Sequence, residues 1–120
     1  MAEFYDEDRK KERIIQEFVP GKQITLAHEI SHPVPDLYTK LGLIDAEGAI
    51  GICTITPSEA AIIAADVASK GAGIKIGFVD RFNGSLVITG SVADVYASLQ
   101  EVIHTLVDSM GFAGTPITKS

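Results

Sequence analysis

The sequence predicts an α+β fold, because short apolar strands rich in β-branched residues alternate with two longer helical segments. An uninterrupted block between residues 49 and 111 reads as strand, helix, strand, hairpin, strand and helix. A further alternating segment precedes this block. The chain has 120 residues, which is enough for one hydrophobic core and one domain of ordinary size.

The block begins with a strand over Ala49–Ile55, a β-branched run too short for a helix. A Thr-Pro-Ser-Glu sequence follows and predicts a helix start, with Thr56 as the cap and Glu59 returning the capping-box bond. The Ala-rich body of this helix runs to Lys70, whose charge suits the negative end of the helix dipole. Gly71 is the residue expected to end the helix.

The second half of the block predicts a hairpin followed by an amphipathic helix. Ile74–Asp80 and Ser85–Thr89 are extended segments, and the Asn-Gly pair at 83 and 84 marks the turn because both residue types tolerate positive φ. Ser91 is the predicted cap of the helix. Its apolar residues then recur at i, i+3, i+4 and i+7 until Gly111 closes it.

The order βαββα lacks one strand of a ferredoxin-like sheet. The tail Phe112–Ser120 is short, polar and interrupted by Pro116, so we expect no strand there. Gln23–Ile30 alternates apolar and polar residues and is the best candidate for the missing strand, and Asp36–Gly42 predicts a short helix after it. The sequence therefore predicts a circularly permuted, antiparallel four-stranded sheet in which this strand and helix have moved to the front.

Residues 1–21 are predicted to be an extension and residues 22–120 the folded domain. A lone strand of the extension cannot satisfy its own edges and needs a partner, such as copies of itself in other chains. That strand comprises Ile14, Ile15, Gln16, Glu17, Phe18 and Val19, and a Pro-Gly pair stops it.

Composition narrows the classes of partner. The net charge is −6 and only ten residues are Lys or Arg, so we expect no nucleic-acid binding. No targeting segment and no run of eighteen apolar residues is present, so we expect no membrane partner. The single cysteine, Cys53, fits a reducing compartment. Hydrophobic residues make up 46% of the chain, and this excess predicts burial against other subunits.

The sequence does not assemble an active site, and we expect no cofactor, metal or catalysis. His28 and His32 are four residues apart, but the prolines that follow argue against the helix that would place them on one face. No phosphate-binding or nucleophile motif is present. An alternative from the enzyme class would use Asp80, Arg81 and His104 for proton transfer. A second alternative is a regulatory ferredoxin-like domain that binds a small effector.

Four stretches of the chain resemble one family: 14–28, Ile55–Glu59, Ile76–Gly84 and Ile117–Ser120. The family is that of the circularly permuted bacterial microcompartment shell proteins, of the ethanolamine-, propanediol- and choline-utilisation type. The resemblance covers residues 13–120. It depends on the joint presence of the four stretches in this order.

The resemblance implies a cyclic hexamer that tiles with other shell proteins around an enzyme-filled compartment, and hence a location in the microcompartment shell. It implies that residues 14–19 of six chains form a small β-barrel over a central pore. Lys70 matches the lysine that shell hexamers place where tiles meet. An encapsulated enzyme or its targeting peptide is a further implied partner. The residues that match the axial pore loop are Asp80, Arg81, Phe82, Asn83 and Gly84.

Overall fold

The computed structural model describes residues 21–43, 46–71 and 73–120. Within these ranges the regular elements are β1 (Gln23–Ile30), α1 (Pro35–Lys40), β2 (Ala49–Thr56), α2 (Ala60–Ser69), β3 (Lys75–Asp80), β4 (Ser85–Gly90), α3 (Val92–His104) and β5 (Thr118–Lys119). The predicted barrel strand, residues 14–19, lies outside the described residues, so the division of the chain at residue 21 stays a prediction.

The strands form one sheet in the order β3-β4-β2-β1-β5. The first four are antiparallel neighbours, with Ala27 of β1 opposite Cys53 of β2, and Cys53 opposite Leu86 of β4. Leu86 in turn lies opposite Val79 of β3. The predicted α+β class is confirmed. Strand β1 supplies the sheet position that the later block lacks.

The C-terminal tail forms a strand, although its sequence predicted none. Thr118 and Lys119 pair in parallel with His28 and Glu29 of β1. Further back along the tail, Ala113 bridges to the first residue of β1. The proline of the tail, which has no N–H to donate, lies between these two points and so removes no hydrogen bond from the ladder. The sheet therefore has a short fifth strand beside the four predicted ones.

Helix α2 begins later than predicted, and the proposed capping box is wrong. Thr56 is still the last residue of β2, so its hydroxyl does not cap the helix. Glu59 precedes the helix and makes no side-chain capping hydrogen bond. The first turn is closed instead by the N–H of Ala60, which donates to the carbonyl of Pro57 at 3.0 Å.

The other end of α2 also differs in detail from the prediction. Lys70 is the C-cap in a right-handed conformation, and positive φ appears not at Gly71 but at Gly73. The N–H groups of Lys70 and Gly71 donate three residues back, to Val67 and Ala68, at 3.3 and 3.2 Å. This tighter turn satisfies the last carbonyls without a left-handed residue at Gly71.

Helix α3 starts at the predicted position but ends at His104, before the predicted end at Gly111. The hydroxyl of Ser91 accepts a hydrogen bond from the N–H of Asp94 at 3.1 Å, which confirms the cap. A π-helical turn, Thr105–Ser109, continues the helix and was not predicted. Gly111 then takes positive φ, and the N–H of Phe112 donates back across the helix end.

The core lies mainly between the sheet and the helices α2 and α3. Alanines of α2 are buried there, and their small side chains let the helix lie close to its neighbours. The hydroxyl of Ser98 in α3 donates to the carbonyl of Ala68 in α2 at 3.3 Å. The opposite face of the sheet carries a smaller cluster, in which Leu37 and Tyr38 of α1 pack against Ile50 and Val87. The buried alanines are Ala60, Ala61, Ala64 and Ala68.

Candidate functional site

The β3–β4 hairpin is organised by the side chain of Asp80. One carboxylate oxygen accepts hydrogen bonds from the N–H groups of Phe82 and Asn83 at 2.9 and 3.0 Å. The other accepts from the amide nitrogen of the Asn83 side chain at 2.8 Å. The N–H of Gly84 closes the turn on the carbonyl of Asp80 at 2.8 Å. The predicted hairpin is confirmed, with residues 81–84 between its strands as the sequence predicts.

These hydrogen bonds make Asp80 a structural group of the loop. The hydrogen bonds from Asn83 and then Phe82 lower the pKa of the Asp80 carboxyl below its ordinary value, because they stabilise the charged form. The side chains of Arg81 and Phe82 take no part in these hydrogen bonds within the described loop. Phe82 is 78% exposed, and the guanidinium of Arg81 lies 5.0 Å from the centre of its ring. The hairpin therefore presents a cation and an aromatic ring.

The hairpin shares one end of the sheet with the start of the described chain. Gln23 at the start of β1 lies opposite Thr56 at the end of β2, and Ser85 at the start of β4 lies opposite Thr54. We call this the hairpin end. The described part of the chain therefore begins at the same end as the loop that follows Asp80.

Lys70 lies at the other end, which we call the lysine end. Helix α2 starts near Thr56 and runs for ten residues, a length of about 15 Å, before it reaches Lys70. The ammonium of Lys70 lies 2.9 Å from a carboxylate oxygen of Asp66, and the Lys70 side chain is 74% exposed. Such an exposed pair holds the lysine weakly. The lysine is therefore available to another chain.

One long side of the molecule exposes apolar side chains. Strand β3 is an edge strand, and apolar residues on both of its faces are partly exposed. Ile62 of α2, Val79 and Phe82 line a shallow depression of about 320 Å³ beside the hairpin. We call this surface the β3 side. It comprises Ile62, Ile76, Phe78, Val79 and Phe82.

The composition predicts burial against other subunits, but the sequence alone did not identify the residues of the β3 side. The signal that could have found them is an edge strand that is apolar on both faces, next to a helix with isoleucines on its outer surface. An apolar edge of this kind is unfavourable in water and marks a contact surface.

The proton-transfer set considered as an alternative is not brought together. His104 lines a groove between α3 and the C-terminal tail, and its Nδ1 lies 2.6 Å from Asp108. Asp80 and Arg81 line the depression beside the hairpin instead. His28 contacts the hydroxyls of Thr118 and Ser120 through its two ring nitrogens. In the described ranges, no helix is both long and apolar enough to cross a bilayer.

The BMC domain family model matches residues 49–115, which span the elements from β2 to α3. The shell protein PduU of Salmonella typhimurium is 55% identical over 109 residues, covering 91% of this chain and 94% of PduU. This chain belongs to the bacterial microcompartment shell-protein family. The family model begins at β2 and leaves β1 and α1 ahead of it, as a permuted order requires.

Other members of the shell-protein family are similarly close. EutS of Escherichia coli is 54% identical over 110 residues, covering 92% of this chain and 98% of EutS. The solved structure of a CutR flat hexamer has a TM-score of 0.80 at 53% identity, covering 90% of this chain and 98% of the CutR chain. A CutR screw form has the same TM-score at 50% identity, covering 84% and 100%.

The predicted family is confirmed, and with it the prediction of a structural shell protein. Family membership favours this interpretation over the effector-binding regulatory domain. The assignments of Lys70, the hairpin and residues 14–19 within a shell tile stay predictions. The exposure of Lys70 and the side chains at the tip of the hairpin are the observations that bear on the first two assignments.

Proposed function

We propose that this chain is a shell tile: six copies close into a ring, and rings meet edge to edge to form the facet of a microcompartment. The observation that carries the proposal is the β3 side, because it exposes apolar side chains on an edge strand. CutR, at 53% identity, is described as a flat hexamer. A ring of the same kind would cover the β3 side of every copy.

Cyclic closure needs two different surfaces on each chain, one that projects and one that receives. The β3 side lies on one edge of the sheet, and β1 with β5 lies on the opposite edge. The second edge carries a groove of about 500 Å³ whose apolar lining includes Ile103, Val107 and Ile117. We assign the β3 side of one copy to this second edge of the next copy.

The two ends of the sheet fit the axis and the rim of such a ring. We place the hairpin end at the axis, where six loops with Arg81 and Phe82 at their tips narrow the opening. The described chain begins at the same end, just before Gln23, which supports our proposal that residues 14–19 of six copies form a six-stranded barrel over that opening. Lys70 then lies at the rim, about 15 Å away by the length of α2.

The role is passive and needs no catalysis. The barrel restricts passage along the axis or offers a docking surface to an encapsulated enzyme or its targeting peptide. Other shell proteins are the partners at the rim. The lysine is suited to a rim contact because its three N–H donors can reach the carbonyls of a neighbouring tile.

Native mass spectrometry of the full chain tests the proposal. We expect a species of six chains, each of 12.8 kDa, and a monomer or dimer at micromolar concentration would contradict it. Val79→Asp should abolish the hexamer, because it buries a carboxylate in an apolar contact. Val34→Asp is the matched control, since Val34 is an exposed valine on neither edge of the sheet.

A further inference from the structure

Glu29 is a buried carboxylate with an unusual environment. It lies in β1 with a side-chain exposure of 0%, and neither of its oxygens has a hydrogen-bond partner among the described residues. Its position opposite Gly51 places it on the sheet face that packs against α2 and α3. A charged group buried without donors is strongly unfavourable, so its environment needs an explanation.

Lys119 is the cation that faces this carboxylate. Its ammonium lies 3.8 Å from Oε1 of Glu29, and the two residues are direct neighbours in the β1–β5 register. The same ammonium lies 4.4 Å from the centre of the Tyr96 ring on α3. Tyr96 therefore holds the lysine from the helix side by a cation–π contact.

On the other face of β1, His28 contacts the residues on either side of Lys119. The two ring nitrogens of His28 lie 2.6 and 2.8 Å from the hydroxyls of Thr118 and Ser120. The N–H of Ser120 donates to the carbonyl of Glu29, and the carbonyl of Ser120 accepts from Ser31, both at 2.9 Å. Consecutive residues of β1 thus hold the tail from opposite sides.

We propose that Glu29 and Lys119 form a clasp that fixes the C-terminal strand on β1, with Glu29 as the positioning residue. A two-residue strand has too few backbone hydrogen bonds to stay docked by itself. Burial of the carboxylate makes docking depend on Lys119, because without this lysine the docked strand would leave a buried carboxylate with no cation beside it. The strand thereby completes the edge that receives the next copy. The role of this edge rests on the proposed function, whereas the clasp does not.

Hydrogen exchange on the full chain tests the clasp. Lys119→Met leaves Glu29 buried without its cation, so the amides of Ser31 and Ser120 should exchange at least about tenfold faster than in the unmodified chain. Lys119→Arg keeps the charge and should restore slow exchange. Lys40→Met is the control, because it removes an exposed lysine that is also paired with a carboxylate, at 3.5 Å.

Substitution of Glu29 distinguishes the ion pair from a role of Lys119 in packing alone. Glu29→Gln leaves Lys119 free to reach water, so it should raise exchange less than Lys119→Met does. The double variant should exchange more slowly than Lys119→Met alone, or fold where that variant does not. Exchange in Lys119→Met within twofold of the unmodified chain, or no recovery in the double variant, would overturn the clasp.

Native mass spectrometry of the same variants tests the link to the ring. A hexameric unmodified chain and a smaller hexamer fraction for Lys119→Met, with Lys40→Met unaffected, support it. A full hexamer fraction for Lys119→Met overturns the link. An unmodified chain that is not hexameric refutes the proposed function, and the exchange data still decide the clasp.

Discussion

Gly84 is tied directly to Ile55: the N–H of Ile55 donates to the carbonyl of Gly84 at 2.8 Å. The bond joins the loop of the β3–β4 hairpin to the end of β2, so the loop cannot shift without disturbing the centre of the sheet. Gly84 has a φ of +78°, and a Cβ at this position would collide with the carbonyl oxygen of Ile55.

Gly84→Ala should therefore lower the free energy of unfolding by more than about 2 kcal/mol, through left-handed strain and the collision together. Gly42→Ala is a matched control, because Gly42 has a φ of +74° but open space around it. It should lower the free energy by about 1 kcal/mol. Urea unfolding at one protein concentration measures both, and equal losses would contradict the role of the collision.

The Asp80 hydrogen bonds predict a pH dependence of the hairpin. Because the folded pKa lies below the unfolded one, the stabilising contribution is fully present above about pH 4 and is lost as the pH falls through the folded pKa. The carboxyl carbon of Asp80 should titrate below the ordinary aspartate range by NMR. Asp80→Ala should speed the exchange of the Phe82 and Asn83 amides at neutral pH; unchanged exchange would refute the assignment.

Lys70→Ala should leave the hexamer intact and prevent hexamers from assembling into sheets. We expect the side chain to contribute little to folding, since its ion pair with Asp66, the one recorded among the described residues, is exposed. Lys40→Ala is the control, because Lys40 is equally exposed and also pairs with an aspartate four residues earlier. Electron microscopy measures sheet formation, and normal sheets from Lys70→Ala would remove Lys70 from the rim.

Deleting residues 1–21 should leave residues 22–120 folded, because the described sheet is complete without them. The far-ultraviolet circular dichroism of the shortened chain should retain a cooperative thermal transition. The axial opening should widen, so that the hexamer admits molecules that the full ring excludes. Loss of the cooperative transition would show that the extension is part of the fold.

Cys53 should be unreactive in the folded protein. Burial raises the pKa of its thiol to about 12, so almost no thiolate is present at pH 8. Iodoacetamide should modify Cys53 only after unfolding in urea, as measured by mass spectrometry. Rapid modification of the native chain would contradict the buried position.

Local signals predicted most of the fold. Ser91 caps α3 as expected because the cap and its N–H donor are three residues apart and need no distant contact. Thr56 failed as a cap because pairing with Gln23, more than thirty residues away, keeps it in the sheet. The tail was misjudged for the same reason: its strand is only two residues long, and its partner lies some 90 residues earlier in the chain.

The site was predicted unevenly. The hairpin residues could be selected from the sequence, but the capture of the Asp80 carboxylate by Phe82 and Asn83 depends on loop geometry. Lys70 could be selected by resemblance, and its place opposite the hairpin follows from strand direction. Glu29 was not selected, because a charged residue in an alternating strand is ordinarily assigned to the solvent face.

Because the C-terminal tail runs parallel to β1, the two ends of the described fold lie at opposite ends of the sheet. Gln23 starts at the hairpin end, whereas Ser120 finishes at the far end of the same strand, bonded to Ser31. In the proposed ring, a fluorophore attached ahead of residue 21 would therefore report on the centre, and one attached to Ser120 would report on the periphery. A single chain thus offers two independent sites for labelling or for fusing a passenger protein.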